Sequence, residues 1–562
     1  MARSSYSRDV KVDIPERKRI RKQNGQRYVY AVLARAGKDD PKDVVKLVGK
    51  LTEDGKKMYP NEDYYSVFPD AAKPEPAAEH GPKDTQTRIG AVAAVRKVAD
   101  DTGISDCLRL AFPDKAGLIL DFAAYCVVAR DSAAMLYSDF MFDHWSDLEP
   151  IPSEATVSRM FNHGMTEEAI DNFRASFLRH SFVGKDNGGR VYVDVDSTNE
   201  NVSSHGVESA EYGKPKDDED LPQINMAYLY DRETGAPVFY DCFYGSITDI
   251  TWCTVGMDRF LGNRSAGEKV GRYAFILDRG YFSRNNVEWM MKGKLEFAVM
   301  GKAGKAFSEF LAKHRAETES SASLLSTGIH GIRTKEKSFG EDSGELYVYL
   351  YLDSTKRTQE QAGIEAALIT AKRALEGKRK DRNGGLKRTY SKWLTIDEDA
   401  LGNIRSVATD AARVDAKMAE AGFFWIVSDM EMSPEDMLGA YRARDGIEKC
   451  FRLLKSENDL SKTYAQTEDA MRAKTLLGFV TAVLRSEITF RTREMREQKG
   501  NVSTQKILLE LDKIIMSKAG NSYSLKYAYT AFQQQAMNAI GLSKKDVGKI
   551  ITACNRQASK ID

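Results

Sequence analysis

The stretch that decides the fold is Gly189-Arg-Val-Tyr-Val-Asp-Val-Asp196, an alternating apolar and polar run that predicts a β-strand closing on an acid. Asp194 and Asp196 alternate with valines, so both carboxylates leave the same face of this strand. A second apolar run, Arg272-Tyr-Ala-Phe-Ile-Leu-Asp278, also ends in an acid. Carboxylates beside an apolar core persist mainly when they are paired or bind a metal ion. The two strands therefore predict carboxylates at the edge of an apolar core that are paired with a cation or bind a metal ion.

The elements around these two strands predict a mixed α/β sheet. The predicted order of strands and helices is typical of a sheet that contains both parallel and antiparallel strands. The predicted strands are 223–230, 237–244 and 295–300, and the predicted helices are 251–261 and 285–292.

A third acid lies on a helix further along the chain. Ser433-Pro434 supplies a helix start. On the helix that follows, Tyr441, Arg444, Glu448 and Lys455 fall within an arc of about 60°. A charged helix face is usually only solvated, but two strand-end acids upstream make Glu448 a candidate third carboxylate. Three carboxylates without matching His or Cys suit Mg²⁺ or Mn²⁺, and two such ions serve phosphodiester chemistry.

Length and composition predict several domains. A chain of 562 residues exceeds one ordinary domain, and two to four is the expectation. The predicted parts are a small β-rich module with a basic arm (1–70), a linker (71–87), a helical region expected to bind DNA (88–180), the first part of a catalytic domain (189–300), an insertion (301–425), the second part of the catalytic domain (426–495) and a helical C-terminal region (496–562).

Charge is informative only where it is concentrated, because the net charge is +1. Basic residues cluster in the N-terminal arm and in a loop within the insertion, and we expect both clusters to contact DNA. The residues are Arg19 and Arg21 in the arm, and Lys378, Arg379, Lys380 and Arg388 in the loop. A solvated surface remains the alternative for each cluster.

Other classes of protein are disfavoured by what the sequence lacks. No apolar run is long enough for a membrane span. The six cysteines show no metal-binding or disulfide spacing. Walker, dinucleotide-binding and nucleophile-elbow motifs are also missing.

The spacing Tyr441-x2-Arg444-x3-Glu448-x6-Lys455 resembles the signature of one group of DDE-type bacterial insertion-sequence transposases. Asp196-Ser-Thr-Asn resembles the first aspartate motif of these enzymes, and Asp278-Arg-Gly-Tyr-Phe resembles the second. Gly245-Ser-Ile-Thr-Asp249 resembles the segment between the two motifs. The resemblance spans most of the chain.

This resemblance implies an RNase H-like catalytic domain interrupted by a mostly β insertion, although a long helix is predicted at 359–376. It implies a DNA transposase that cleaves transposon ends and transfers them into target DNA. Asp196, Asp278 and Glu448 would hold two Mg²⁺ (or Mn²⁺) ions, and Tyr441, Arg444 and Lys455 would contact phosphates. The implied partners are double-stranded DNA at terminal inverted repeats and in the target, and a second protomer in a homodimer. The implied location is the bacterial cytoplasm, at the nucleoid.

Some assignments remain open at this point. Asp196 is favoured over Asp194 as the first metal ligand because it opens the Asp-Ser-Thr motif. Arg279 and Trp393 are candidate DNA contacts, and Trp425 is a candidate for base stacking or simply a core residue. The alternative functions are an inactive or domesticated DNA-binding relative, and a nuclease of the same fold that does not join strands.

Overall fold

The computed structural model describes residues 11–23, 25–34, 43–71, 86–182, 190–213, 221–263, 273–337, 344–375, 393–399, 401, 403–444, 462–463, 465–520 and 522–558. The chain divides into two compact units. The first comprises residues 1–84 with 151–158, and the second comprises residues 85–150 with 159–562.

The first unit is built on a five-stranded antiparallel sheet with one helix on it. The strands lie in the order β1-β5-β4-β3-β2, and the helix contributes to a core of Val29, Val48 and Met58. Asn61 begins the helix by accepting a hydrogen bond from the Tyr64 backbone N–H. The elements are β1 (Val12–Asp13), β2 (Lys18–Gln23), β3 (Gln26–Ala34), β4 (Val44–Leu51), β5 (Lys57–Pro60) and α1 (Glu62–Val67).

The second unit begins with a helical region. Its elements are β6 (Gln86–Arg88), α2 (Gly90–Asp101), α3 (Ile104–Ala111), α4 (Ala116–Ala129), α5 (Ala134–Asp143), α6 (Glu154–Arg159), a π-helical turn (Met160–Gly164) and α7 (Glu167–Phe182). Helix α6 is divided between the units, because residues 154–158 belong to the first unit and Arg159 belongs to the second.

A large α/β region follows. Its strands are β7 (Val191–Val202), β8 (Gln223–Asp231), β9 (Pro237–Tyr244), β10 (Tyr273–Leu277), β11 (Glu296–Met300), β12 (Leu324–Ser326), β13 (Ile329–Lys337), β14 (Glu345–Asp353), β15 (Leu394–Glu398), β16 (Ile404–Thr409), β17 (Phe423–Ser428) and β18 (Lys462–Thr463). Its helices are α8 (Asp249–Gly262), α9 (Arg284–Lys292), α10 (Lys305–Thr318), α11 (Ser354–Leu375), α12 (Ala411–Glu420) and α13 (Pro434–Arg442).

The C-terminal elements are α14 (Glu468–Arg491), α15 (Arg493–Gln498), α16 (Thr504–Leu511), β19 (Ile515–Ala519), β20 (Ser522–Leu525), α17 (Ala531–Ile540) and α18 (Lys544–Ala558). None of the helices in the described part of the chain has the length and hydropathy to cross a bilayer.

One mixed sheet organises the second unit and confirms the α/β class. Its main path is β12-β13-β14-β17-β11-β10-β7-β8-β9, and β18 pairs with β7 beside it. The strands β7, β10 and β11 are parallel, whereas β7, β8 and β9 form an antiparallel meander. Because side chains alternate across a sheet, Phe275 and Leu277 face one core and Ile276 faces the other.

Different helices cover the two faces of this sheet. Residues of α8, α9 and α10 pack into the core that contains Phe275. Met437 and Leu438 of α13 pack into the core that contains Ile276. Asp194 pairs with Ile276 across β7 and β10, so it lies on the face that α13 covers. Asp196 and Asp278 each follow this pair by two residues, so they belong to the same face.

Three expectations from the sequence are wrong in detail. The first acidic strand continues past Asp196 to Val202, because β8 still pairs with it after β10 has ended. The insertion is not mostly β, since α10, α11 and α12 lie within it and β13, β14 and β17 extend the central sheet. The C-terminal region is not purely helical, since β19 pairs with both β20 and β6.

Candidate active site

Asp196 and Asp278 are brought together by the parallel pairing of β7 and β10. The last pair of this ladder is Leu277 with Val195, so each aspartate directly follows one member of the pair. Neighbouring strands lie about 4.8 Å apart, which places residues at matching positions side by side. Asp196 is largely buried, whereas the Asp278 side chain is 42% exposed. The pair therefore forms a carboxylate site that solvent reaches from one side.

Arg444 joins the two carboxylates. Its Nη2 lies 3.5 Å from Oδ1 of Asp278, and its Nη1 lies 4.0 Å from Oδ1 of Asp196. Its guanidinium also lies 5.6 Å from the Tyr441 ring centre. One buried cation therefore balances the charge of two acids that stand 82 residues apart in the chain.

Tyr441 reaches the same carboxylate from α13. Its hydroxyl donates to Oδ1 of Asp278 across a long 3.5 Å. Burial raises the pKa of Tyr441 well above its ordinary value, so the phenol stays protonated and can donate. Helix α13 is fixed at its start by Ser433, which accepts from the Asp436 backbone N–H, with Pro434 at the first helical position. It ends at Arg442, so Arg444 lies in the turn that follows, and the described helix is shorter than the sequence predicts.

Asp194 is occupied by a different partner. It is 2% exposed, and both of its oxygens accept from Arg232, with Nε at 3.2 Å from Oδ2. The Arg232 guanidinium also lies 4.5 Å over the Tyr192 ring. Burial raises the pKa of Asp194 even though Arg232 opposes this shift. An enclosed, ion-paired carboxylate is poorly placed to bind a metal ion, which favours Asp196 as the first ligand.

Sequence reasoning assigned no role to Asp249, which the structure places beside Ser197 and Gly280, within two residues of Asp196 and Asp278 along the chain. Ser197, the residue after Asp196, donates its hydroxyl to Oδ1 of Asp249 at 2.7 Å. A β-carbon on Gly280 would lie 3.0 Å from Oδ2 of Asp249, so glycine there lets the carboxylate approach the turn after Asp278. The only sequence signal was that Asp249 closes the segment resembling the one between the two aspartate motifs.

Arg279 and Trp393 share a cavity at the carboxyl ends of β10 and β11. The cavity has a volume of about 360 Å³ and is also lined by Gly301, Phe424 and Trp425. Arg279 follows Asp278 directly, so the cavity begins one residue from the carboxylate pair. Trp393 is half-buried and packs against the small core of Ala371, Leu375 and Leu394.

Trp425 is a core residue and not a free stacking surface. It is 5% exposed and packs against Phe282, Phe307 and Phe310 with ring centres 5.7–5.8 Å away. Its indole N–H donates to the Lys302 carbonyl at 3.2 Å.

Several predicted residues lie outside the described part of the chain. These are Glu448, Lys455, Lys378, Arg379, Lys380 and Arg388. Arg19 and Arg21 are described and lie on β2 of the first unit, with exposed side chains. Among the described residues, no group of three or more His, Cys, Asp or Glu side chains is placed to hold a metal ion.

Comparisons with known proteins point to one family. The family model described as a transposase DDE domain matches residues 187–484, which is more than half of the 562 residues. Among solved structures, the chain is similar to a piggyBac transposase in a synaptic complex with hairpin DNA. The identity is 9% and the TM-score 0.34, over 86% of this chain and 80% of that one. No curated protein matches the chain significantly.

Proposed function

Because the chain belongs to the family defined by the transposase DDE domain, we propose that it is a DNA transposase that cleaves transposon ends and joins them to target DNA. The catalytic carboxylates in this proposal are Asp196, Asp278 and Glu448. The observation that carries it is the side-by-side placement of Asp196 and Asp278 at the end of the β7–β10 ladder, joined there by Arg444.

The donor set fits a hard divalent cation. Asp196 and Asp278 offer carboxylate oxygens, which Mg²⁺ and Mn²⁺ prefer. Glu448 follows Arg444 by four residues, which span at most about 14 Å, so its carboxylate is within chain reach of the pair. The segment that contains Glu448 is followed by β18, which pairs with Asn201 and Val202 of β7. Two bound ions would supply activation of the attacking oxygen and stabilisation of the leaving oxygen.

The residues of this chain have separable roles in the proposal. Arg444 neutralises the Asp196–Asp278 pair and, with Tyr441 and Lys455, would hold phosphates of the DNA end by charge and hydrogen bonding. Arg279 lies beside Asp278 and would contact the same strand. Trp393 offers its ring to a base that leaves the stack, in a cavity large enough to accept part of one.

The arrangement of β7 to β11 supports the RNase H-like interpretation of the fold. An antiparallel meander of three strands continues through β7 into the parallel β10 and β11, with the acids on β7 and directly after β10. The proposed partners are double-stranded DNA at terminal inverted repeats and in the target, contacted also by Arg19, Arg21 and the basic loop 378–388. A homodimer would pair two ends, at the nucleoid in the bacterial cytoplasm.

A cleavage and joining assay tests the proposal. Wild-type protein is incubated with DNA that carries the ends of the element and with Mg²⁺ or Mn²⁺, and nicked and joined products are separated on gels. We expect Asp196→Asn, Asp278→Asn and Glu448→Gln each to abolish both products. Asp258→Asn, an exposed acid on α8, is the matched control and should keep wild-type rates.

The outcomes separate the alternatives. Cleavage by Glu448→Gln at the wild-type rate would remove Glu448 from the site and reject the assignment. Products that are nicked but never joined would indicate a nuclease. Binding of the ends without cleavage in either metal would indicate an inactive relative.

A further inference from the structure

The N-terminal sheet has one face covered by its helix and one open face. Val29, Ala31, Val48, Leu51 and Met58 point toward α1 and form the core of the first unit. The alternate residues of the same strands point the other way. Arg19, Arg21 and Lys57, which lie on that second face, have exposed side chains.

The register of the strands lines up cations and tyrosines in one row across the open face. Arg21 pairs with Tyr28, Tyr28 with Lys50, and Lys50 with Tyr59. Lys11 completes the row, since its Nζ lies 5.9 Å from the centre of the Tyr59 ring. Five strands at about 4.8 Å spacing make this row roughly 19 Å long. Cation and aromatic side chains therefore alternate from one edge of the sheet to the other.

A second cation–aromatic contact lies beside this row. Tyr30 is paired with Arg19, and the Arg21 guanidinium stands 4.9 Å from the Tyr30 ring centre. All three tyrosines are half-buried, so each ring is supported by the sheet while part of it stays accessible.

The open face has an excess of positive charge. Its cations are Lys11, Arg19, Arg21, Lys50 and Lys57. Among the described residues, two of these cations lie within ion-pair distance of a carboxylate. Asp43 lies 2.8 Å from Arg19, and Asp13 lies 4.0 Å from Lys57 at the edge. Arg21, Lys50 and Lys11, which form the row, have no carboxylate within ion-pair distance among the described residues. The charge of the row is therefore available to an anion.

We propose that this open face binds a single strand of DNA, with Tyr28, Tyr30 and Tyr59 stacking on bases and the row cations neutralising phosphates. Stacking on aromatic rings requires bases that are not already stacked in a duplex, whereas cations alone would suffice for duplex phosphates. The alternation of rings with cations therefore selects the single strand. The inference rests on the proposed function for the choice of DNA as the ligand, and it extends the roles of Arg19 and Arg21 to a defined surface.

The test uses the full chain and a labelled oligonucleotide, single-stranded or as its duplex, with binding followed by fluorescence anisotropy. Removing a stacking ring weakens single-strand binding by about tenfold, so Tyr28→Ala and Tyr59→Ala should each show a loss of this order, with little change for the duplex. Tyr28→Phe keeps the ring and should bind as the wild type does. Tyr65→Ala, on α1, is the matched control and should also be neutral.

A second measurement identifies the surface directly, because other parts of the chain also meet DNA. A strand carrying 5-iododeoxyuridine is crosslinked by light, and the modified peptides are identified by mass spectrometry. Crosslinks at Tyr28, Tyr30 or Tyr59 support the proposal. Their absence, or single-strand affinity within twofold of wild type in the Tyr28→Ala and Tyr59→Ala double variant, overturns it.

The two proposals fail in different ways. Asp196→Asn should lose cleavage and keep the crosslinks on the N-terminal sheet. Loss of crosslinks with intact cleavage would reject only the DNA-binding face, and crosslinks without any cleavage by wild-type protein would reject only the catalytic proposal.

Discussion

The ion pair between Asp194 and Arg232 provides the sharpest prediction, because it determines the role of Asp194, the acid of β7 that is not proposed as a metal ligand. We expect Arg232→Met to destabilise the protein strongly at neutral pH. Asp194 is 2% exposed, and the Arg232 side chain that covers it is 16% exposed, so water cannot replace the lost guanidinium without opening the core. Removing one partner of a buried ion pair costs about 3–5 kcal/mol, since a charge is left behind without compensation.

The pH dependence of this loss has a definite sign. Burial already raises the pKa of Asp194 in the wild type, and loss of Arg232 raises it further. A carboxyl whose folded pKa exceeds its unfolded pKa binds its proton more tightly in the folded state, so the free energy of unfolding falls as pH rises. The free energy of unfolding that Arg232→Met loses relative to the wild type should therefore be smallest near pH 4, which is about the pKa of an aspartate in the unfolded chain, and largest at pH 7.

The measurement is urea unfolding of the wild type and the variant, followed by tryptophan fluorescence between pH 4 and 7 in matched buffers. The double variant Asp194→Leu with Arg232→Met should recover most of the loss, because apolar replacement of a buried pair is often neutral. Lys335→Met, which breaks an exposed pair with Glu345, is the control and should change little. A loss of less than about 1 kcal/mol in the free energy of unfolding of Arg232→Met at pH 7, or a loss that does not change with pH, would refute the reasoning.

Two further predictions concern the second unit. His144 is buried, with its Nε2 3.1 Å from Oδ1 of Asp512. Burial lowers the pKa of His144, but the hydrogen bond to Asp512 and the charges of Asp512 and Asp143 together outweigh burial and raise this pKa above 6.5. The stability that the His144–Asp512 pair supplies should therefore be present below pH 6.5 and be lost as pH rises through the pKa of His144 in the folded protein. The melting temperature of Asp512→Asn should depend less on pH than that of the wild type. Gly280→Ala would place a methyl group 3.0 Å from Oδ2 of Asp249. We expect the rate of DNA cleavage to fall about tenfold to a hundredfold while the melting temperature changes little. Cleavage at the wild-type rate would contradict the placement of Asp249.

The two aspartates show how far local patterns reach. Apolar runs that end in acids predicted strands at 189–196 and 272–278, and strands are found there at Val191–Val202 and Tyr273–Leu277. The sequence could not show that the strands are parallel neighbours, because the pairing joins residues 82 positions apart. Alternation puts both Asp194 and Asp196 on one face, and the sequence favoured Asp196 only through the motif that it opens. The position of Arg232 adds a physical reason, since it withdraws Asp194 into an ion pair.

The wrong expectations have a common physical origin. The end of β7 was placed too early because Ser197, Asn199 and Asn201 are polar, yet they are buried in the structure. Asn199 donates to Gln223 of β8 and Ser197 donates to Asp249, so tertiary partners satisfy groups that otherwise favour a loop. The C-terminal strand β19 was missed for a related reason, since its pairing with β6 joins distant parts of the chain.

By itself the sequence determined that strands lead to Asp196 and Asp278, that a helix begins at Ser433, and which residue types are present for metal and phosphate chemistry. These properties depend on side-chain periodicity and on local capping, such as Ser433 and Pro434 at the start of α13. The tertiary structure decided which acids meet, which cation neutralises them, and which acid is withdrawn into an ion pair. Those outcomes depend on sheet register and burial, which arise only when residues distant in the chain pack together.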